Sequence, residues 1–548
     1  MRNDLRWIYT FRDSPPLDDE NYIKKLYFKS DYKFRPASDA IEDAMTNFEH
    51  ALIAEQLQRN HRHKPGRNIS HNKWALLQSL RSNDRYTTVA GDKNLGPCIL
   101  ELRTYTLRGF QEHLGNPRNY KRITEAQAHT RHRHLQYTLR DWIRRYRPRS
   151  ATDPPSSHQC ISNEEVTFLI RSLQRHPDNI ATFRMMCKVH KTPWVTRPIV
   201  CCIGTFMNCW SKWLDHWLQQ LKGVMSSHVK DGQQILDETR RLAVPPNAQL
   251  VSADAKAMYN NIDTFHAIEV LTWWFQDLDT LQELPPSFPL QAIIEAMTII
   301  MTNNYFAFGD TFFLQLLGTA MGTSAAVMWA TLYYAYHEEH CLIPKHGHNL
   351  FYYRRFIDNM LIIWVGNTTT DWQSFCDDVD TFGVLKWDIR DQVLSKCTNF
   401  LDLTLTIDGN RISSKTFQKK MNLYLYLANS SAHPPSCIKG QIYGLVRRYY
   451  LQNTYQKDYV SLVRLLFQRL LKRGWDREFL RDTIIDASNR VETAHKNITT
   501  TPATIEEANR LFLHLEFHPD DGSQSRIQTL YANDLEDLLH TELRRPDE

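Results

Sequence analysis

The chain has 548 residues, more than one hydrophobic core usually supports, so several lobes are expected. A hydrophobic share of 42% with 11% aromatics excludes an intrinsically disordered chain. Net charge is only +5 but unevenly placed: residues 101–149 carry twelve Lys/Arg against four acids, and residues 501–548 carry four Arg against eleven acids. A basic stretch interleaved with Tyr137, Trp142 and Tyr146 suits a polyanionic partner. The alternative is a solvated helix face.

Met1–Trp7 has no apolar run long enough for a signal peptide. Asp153-Pro154-Pro155-Ser156-Ser157 is a loop closing the basic region, and Ser162-Asn163-Glu164-Glu165 opens a helix. A compact basic strand region follows from Phe183 to Cys202, then Trp- and Leu-rich helices from Met207 to Leu221. After Pro245-Pro246, the run Leu250-Val251-Ser252-Ala253 ends at Asp254, with Tyr259 five residues on. Residues 286–335 read as long apolar helices around a glycine-punctuated segment. Within them Ala325–Tyr336, the longest apolar stretch, is too short for a membrane span and reads as a buried helix. No membrane partner is expected.

Tyr352 to Trp364 reads as a β-hairpin, with Asp358-Asn359 as the two-residue turn between apolar arms. Phe400 to Ile407 reads as a strand ended by Asp408-Gly409. From about Gly440 the pattern is helical; Leu462, Leu465, Leu466, Arg469 and Leu470 keep a 3.6-residue period that Gly474 stops. Thr499-Thr500-Thr501-Pro502 introduces an acidic extension. Ten cysteines without a CxxC pair point to a reduced intracellular protein and no zinc ribbon. His337-Glu338-Glu339-His340-Cys341 with His346 and His348 is not HExxH and closes no four-ligand zinc set.

A strand-end Asp254 and a hairpin-tip Asp358, about a hundred residues apart, form the arrangement by which a polymerase palm holds Mg²⁺. That ion prefers hard oxygens and is commonly held by one or two carboxylates plus substrate phosphates. Two such ions can clamp the attacking and leaving oxygens of a phosphoryl transfer.

Further segments, in order, resemble the reverse transcriptases of Penelope-like retroelements, a group related to telomerase reverse transcriptase. The likeness runs over roughly residues 84–490. Asp92-Lys93-Asn94-Leu95-Gly96-Pro97 resembles the amino-terminal DKG/DKN signature, and Lys188-Val189-His190-Lys191 with Arg197-Pro198-Ile199-Val200 the fingers motif. Asp254 through Tyr259 to Ile262 resembles the first palm motif. Gln315 with Gly318-Thr319-Ala320-Met321-Gly322-Thr323 resembles the glycine motif. Phe356-Ile357-Asp358-Asn359 stands where YIDD is usual, and Phe400-Leu401-Asp402-Leu403 resembles the FLD primer grip. Tyr426 to Pro434 with Lys439-Gly440 resembles the SxHPxxxKxG segment, and Arg473-Gly474-Trp475 the thumb RGY/RGW element. Ile442-Tyr443-Gly444 lacks the partners of a GIY-YIG endonuclease, so the resemblance is to an endonuclease-lacking or truncated member.

The resemblance implies an α+β fold: a right-hand polymerase with an α/β palm, basic fingers and a helical thumb. Its parts would be an N-terminal helical extension (1–85), fingers with the basic region (86–240), palm (241–437), thumb (438–490) and an acidic C-terminal extension (491–548). The implied activity is RNA-directed DNA polymerisation, with an RNA template, a DNA primer and deoxynucleotides as partners, in the nucleus. Asp254, Asp358 and Asn359 would face two Mg²⁺ (or Mn²⁺) ions, with Lys386 as general acid. Lys188, Lys191, Arg197, Tyr259, Gln315, Met321 and Gly322 would surround the nucleotide, and Lys93 would touch template or phosphate. Gly318 and Gly322 would let backbone approach the nascent base pair, or else form a small-xxx-small helix contact. Phe400, Leu401 and Asp402 would grip the primer. Asn359 departs from the usual second Asp and removes one formal negative charge. The rival expectation is therefore a catalytically impaired or domesticated nucleic-acid-binding descendant.

Overall fold

A computed structural model describes residues 36–60, 70–148 and 160–496, apart from positions 176, 190, 286, 420, 421 and 432, together with Thr529. The N-terminal Met1–Trp7, the loop Asp153–Ser157, His190 and Ala432 of the quoted motifs, the Thr499–Pro502 linker and nearly all of the acidic extension lie outside those residues. In chain order the strands are β1 (Tyr86–Ala90), β2 (Pro97–Glu101), β3 (Tyr120–Ile123), β4 (Ala181–Lys188), β5 (Val195–Cys201), β6 (Gln249–Asp254), β7 (Tyr305–Phe308), β8 (Thr311–Gln315), β9 (Leu350–Phe356), β10 (Asn359–Trp364), β11 (Cys397–Phe400), β12 (Leu403–Asp408) and β13 (Arg411–Thr416). With the helices between them they make an α+β fold, as expected. No described helix is long and apolar enough to cross a membrane.

The chain divides into two compact units. One comprises the described parts of Met1–Ser79, Tyr426–Tyr450 and Val460–Glu548, and it is helical. Ile41, Met45 and Phe48 share one buried face of the helix Asp39–Asn60. Leu462, Leu466 and Leu470 do the same on Gln456–Leu471, and Gly474, at φ +85°, ends that run where the period predicts. The Arg473 Nε donates to the Tyr426 carbonyl (2.8 Å) and the Trp475 Nε1 to the Leu427 carbonyl (2.7 Å).

The second unit, Leu80–Leu425 with Leu451–Tyr459, carries all the strands. Its five-stranded sheet runs β3-β8-β7-β4-β5, antiparallel except for β4 beside β7. The helices Glu125–Tyr146 and Phe206–Gln219 meet through Trp142, Trp210 and Trp213, with ring centroids 5.2 Å apart. A capping box between Ser162 and Glu165 starts the next helix as expected. The same Glu165 accepts from the indoles of Trp213 (2.6 Å) and Trp217 (2.9 Å).

A three-stranded antiparallel sheet, β6-β10-β9, has β10 buried from Met360 to Trp364. Alternate residues of β10, Leu361 and Ile363, join Phe400, Leu403, Leu405 and Ile235 in one apolar cluster.

Three expectations change. Between the helices Leu290–Thr302 and Ala326–His337 lies the hairpin β7–β8 ahead of the glycine-punctuated segment, where only helix was expected to flank it. Aromatic Tyr305, Phe306, Phe308, Phe312 and Phe313 favour a pleated surface, which an apolar count alone does not separate from a helix. The run Phe400–Ile407 is broken at Leu401-Asp402, Leu401 lying at φ +53°, so it forms the end of β11 and most of β12. And Trp142 and Tyr146 are buried; of the three interleaved aromatics only Tyr137 is exposed.

Beneath the β9–β10 hairpin sits an ion pair sealed from water: Arg355 is 1% exposed and Glu338 0%. The guanidinium meets both carboxylate oxygens at 2.7 and 2.8 Å, and Tyr353 (2.6 Å) and Ser227 (2.6 Å) donate hydroxyls to the same carboxylate. The remaining guanidinium bonds go to the carbonyls of Thr331 (2.8 Å) and Ile357 (2.7 Å). Arg355→Ala strands a buried carboxylate and should remove about 3–5 kcal/mol of unfolding free energy in urea titrations. Arg354→Ala, at the neighbouring more accessible pair with Glu238, should remove less than about 1 kcal/mol.

Candidate active site

Asp254 is the last residue of β6, and its Cα partner across the sheet is Asn359, the first residue of β10. Asn359 also pairs with Phe356 in the hairpin, which leaves Ile357 and Asp358 as the two-residue loop. The turn is thus one residue earlier than the sequence suggested. Ile357 takes φ +53°, a left-handed conformation unfavourable for a β-branched side chain. Its carbonyl is the one held by Arg355, so the buried ion pair supports the strained tip. The Asp358 carbonyl accepts from the Ala255 amide at 2.7 Å, fixing the tip beside the end of β6.

A third carboxylate, Asp388, joins the site. It accepts from the Asp254 amide (2.7 Å), and its own amide donates to the Asp254 carbonyl (3.0 Å). Asp254 is solvent-accessible, yet protein on several sides desolvates it. That desolvation, then the charges of Asp388 and Asp358, push its carboxyl above the usual range; the Asn359 amide and Lys419 ammonium pull it back. The Asn359 amide nitrogen donates to Asp254 Oδ1, while the Asn359 Oδ1 is buried with no hydrogen-bond partner among the described residues.

Tyr259 lies in a single turn, Met258–Asn260, entered through Ala257 at φ +50°. Burial, then the Asp358 charge, pushes its phenol up to about 12. The glycine segment packs against this turn as irregular loop, not helix. The Thr319 amide donates to the Tyr259 carbonyl (2.7 Å), and a Cβ on Gly318 would fall 2.1 Å from that same oxygen. On the other side, the Val200 amide donates to the Met321 carbonyl (2.7 Å), and a Cβ on Gly322 would fall 2.0 Å from the Val200 carbonyl. Both glycines also hold positive φ. Both glycines thus closely approach the chain's own backbone at Tyr259 and Val200, in a loop rather than in the helix contact that was one of the two expectations. Gln315 is buried and donates its amide to the Leu317 carbonyl (2.9 Å), shaping the entry to this loop.

A cationic group surrounds the far side. Lys188 ends β4, Lys191 follows in the turn, and Arg197 lies on β5 opposite Met186. The Arg197 guanidinium stands 3.4 Å from the buried Asp92 carboxylate. Lys93 occupies the β1–β2 turn at φ +56°, and a backbone bridge from Gly91 to Cys187 ties that turn to β4. Burial lowers the Lys188 amine, with Arg197, Lys191 and Lys93 adding to the effect. Burial and Lys419 do the same for Lys93. Lys419 thus acts on both Asp254 and Lys93.

Other expected residues are engaged elsewhere. The Lys386 ammonium donates to the Asp380 carbonyl, and only its backbone, bonded to the Lys256 amide (2.7 Å), adjoins the site. Phe400 is buried in the apolar cluster with Leu401 against it, and Asp402 accepts from the Gln452 amide. Asp388 and Lys419 escaped the sequence reading because neither carries a local signal. One is a lone Asp after Lys386-Trp387, the other one of many lysines. Among the described residues no three His, Cys, Asp or Glu side chains gather tightly enough to hold an ion by themselves.

No family model and no curated protein matches the sequence. Solved structures do. Telomerase from Candida albicans in complex with a fragment of telomeric RNA matches at a TM-score of 0.49 and 10% identity, over 76% of this chain and 69% of that one. Apo telomerase from Candida tropicalis matches at 0.42 and 9% identity, over 82% and 81%. The Sicinivirus 3Dpol RNA-dependent RNA polymerase matches at 0.40 and 11% identity, over 70% and 89%.

The raised Asp254 carboxyl carries a sign. The folded chain binds that proton more tightly than the unfolded chain, so ionisation of Asp254 erodes stability as pH rises past the ordinary carboxylate value. Asp254→Asn keeps an oxygen for the Asn359 amide and should melt above the wild type at about pH 7 in magnesium-free buffer. Melting curves should show this gain vanish towards about pH 4, where the wild type is itself protonated.

Proposed function

We propose that the chain is an RNA-directed DNA polymerase of the right-hand type, resembling the Penelope-like reverse transcriptases. The observation that carries this reading is the β6–β10–β9 register, which sets Asp254 beside the Asp358 tip. In this reading the palm is 241–437, the fingers lie within 86–240, and the helices after Gly440 are the thumb. RNA template, DNA primer and deoxynucleotides are the partners, within the nucleus.

The donor set fits Mg²⁺ or Mn²⁺: two adjacent carboxylates repel one another, and Asn359 offers a buried acceptor oxygen without a partner. Such ions, bound by Asp254 and Asp358 and completed by substrate phosphates, supply charge stabilisation for phosphoryl transfer. The chain's own residues do the positioning. Tyr259 packs beneath the incoming sugar, where its ring fills the space of a 2′-hydroxyl and favours deoxynucleotides. Lys188, Lys191, Arg197 and Lys93 neutralise the triphosphate, and Asp92 orients the Arg197 fork towards phosphate oxygens. The hybrid is held mainly through phosphates, and its binding weakens with salt.

Asn359 favours a second reading, a nucleic-acid binder with reduced or lost catalysis, because the site has one charge fewer to attract cations. Primer extension on poly(rA)/oligo(dT) with Mg²⁺ and with Mn²⁺ decides between them. The polymerase reading expects extension that falls at least about 100-fold in Asp254→Ala or Asp358→Ala, the scale of losing one preorganised electrostatic partner. It also expects Asn359→Asp to extend faster at low Mg²⁺. Hybrid binding with no extension by any of these proteins would leave the binder.

A further inference from the structure

The helix Glu125–Tyr146 turns one face to the core through Ala128, His132, Leu135, Leu139, Trp142 and Ile143. Its opposite face is a stripe. Arg133, Tyr137, Arg140 and Arg144 follow at spacings of four, three and four residues, so they align along one side of the helix over about 16 Å. All four are exposed, and Tyr137 leaves 67% of its surface to solvent. The Arg140 guanidinium lies 6.0 Å from the Tyr137 ring centroid. Among the described residues none of these three arginines has a carboxylate partner. The nearby Asp141 is taken by Arg145, which also binds Glu295 at 2.7 Å. Helix stability does not need an aromatic in water, and burial elsewhere on the helix already satisfies the core.

We propose that this stripe is a binding surface for single-stranded nucleic acid, separate from the carboxylate site. Three guanidiniums along one line, without a carboxylate partner among the described residues, match a backbone of regularly spaced phosphates. The exposed ring between them is a platform on which one unpaired base stacks, a feature that an acidic protein surface or a lipid headgroup layer would not require. A continuous duplex offers no free base face to Tyr137, so the surface selects the unpaired strand. The side chains that build it touch none of the residues assigned to nucleotide or metal binding, and the surface operates whether or not the chain polymerises.

The test is anisotropy of fluorescein-labelled oligo(U) across a salt series, with saturating unlabelled blunt RNA–DNA hybrid present to occupy any duplex cleft. The triple variant Arg133→Gln/Arg140→Gln/Arg144→Gln should flatten the log–log salt dependence by about 2, from about 0.7 per phosphate contact. Tyr137→Ala should weaken binding about 5- to 150-fold at fixed salt with an unchanged slope, and Tyr137→Trp should restore it. A wild-type slope in the triple variant overturns the proposal. So does Tyr137→Ala binding as tightly as wild type, which would mean a surface for any polyanion. Loss of binding to phosphatidylserine vesicles with oligo(U) binding intact overturns it in favour of a membrane. Thermal melts matching the wild type establish that the variants fold. Primer extension run in parallel separates the two ideas: stripe binding without extension refutes only the enzyme, and extension without stripe binding refutes only this surface.

Discussion

The carboxylate site depends on the buried contact between Arg355 and Glu338. A guanidinium and a carboxylate taken out of water are unfavourable unless every donor and acceptor is met. Here both carboxylate oxygens and all three guanidinium nitrogens are engaged, with Tyr353, Ser227, Thr331 and finally the carbonyl of Ile357 as the further partners. That last bond reaches the residue whose backbone conformation the chain would least readily adopt alone. A hairpin tip held from below in this way presents Asp358 in one place. The same ladder sets Asn359 opposite Asp254. The position of the acids is thus decided beneath the hairpin, by groups buried from water.

The glycine loop extends the same logic across the unit. Its two glycines lie where a side chain would strike backbone, at Tyr259 on one side and Val200 on the other. Between them Thr319 and Met321 make short backbone bonds to those two segments. The tyrosine turn and the arginine-bearing strand β5 are therefore spaced by main chain rather than by flexible side chains.

Much of this was legible in the residues. Asp254 at the end of an apolar run, Asp358 between apolar arms, the capping box at Ser162 and the glycine stop at Gly474 each carry a local signal that survives folding. The losses follow one pattern. The turn falls one residue earlier than the better turn pair Asp-Asn would place it, because Arg355, itself fixed by the distant Glu338, holds the Ile357 carbonyl. Asp388 and Lys419 reach the site through long-range pairing and have no motif of their own. Apolar periodicity could not separate β7–β8 from helix, because the strands are short and β7 is buried at the adjacent Tyr305 and Phe306, which blurs the period. Glu338 belongs to a histidine-rich run that the sequence already excluded as a zinc set, but its partner Arg355 could not be read there, because the strand that folds over it sets that role.

The amide at position 359 has one more consequence. At the end of β6 the charges of Asp388 and Asp358 already raise the Asp254 carboxyl, and a further acid at position 359 would add to that repulsion. By donating to Asp254, Asn359 puts a hydrogen bond where a further carboxylate would repel, and so ties the start of β10 to the end of β6 without any cation. If the proposed polymerase reading holds, the trade is a weaker attraction for divalent cations, so occupancy would follow their concentration rather than saturate below it.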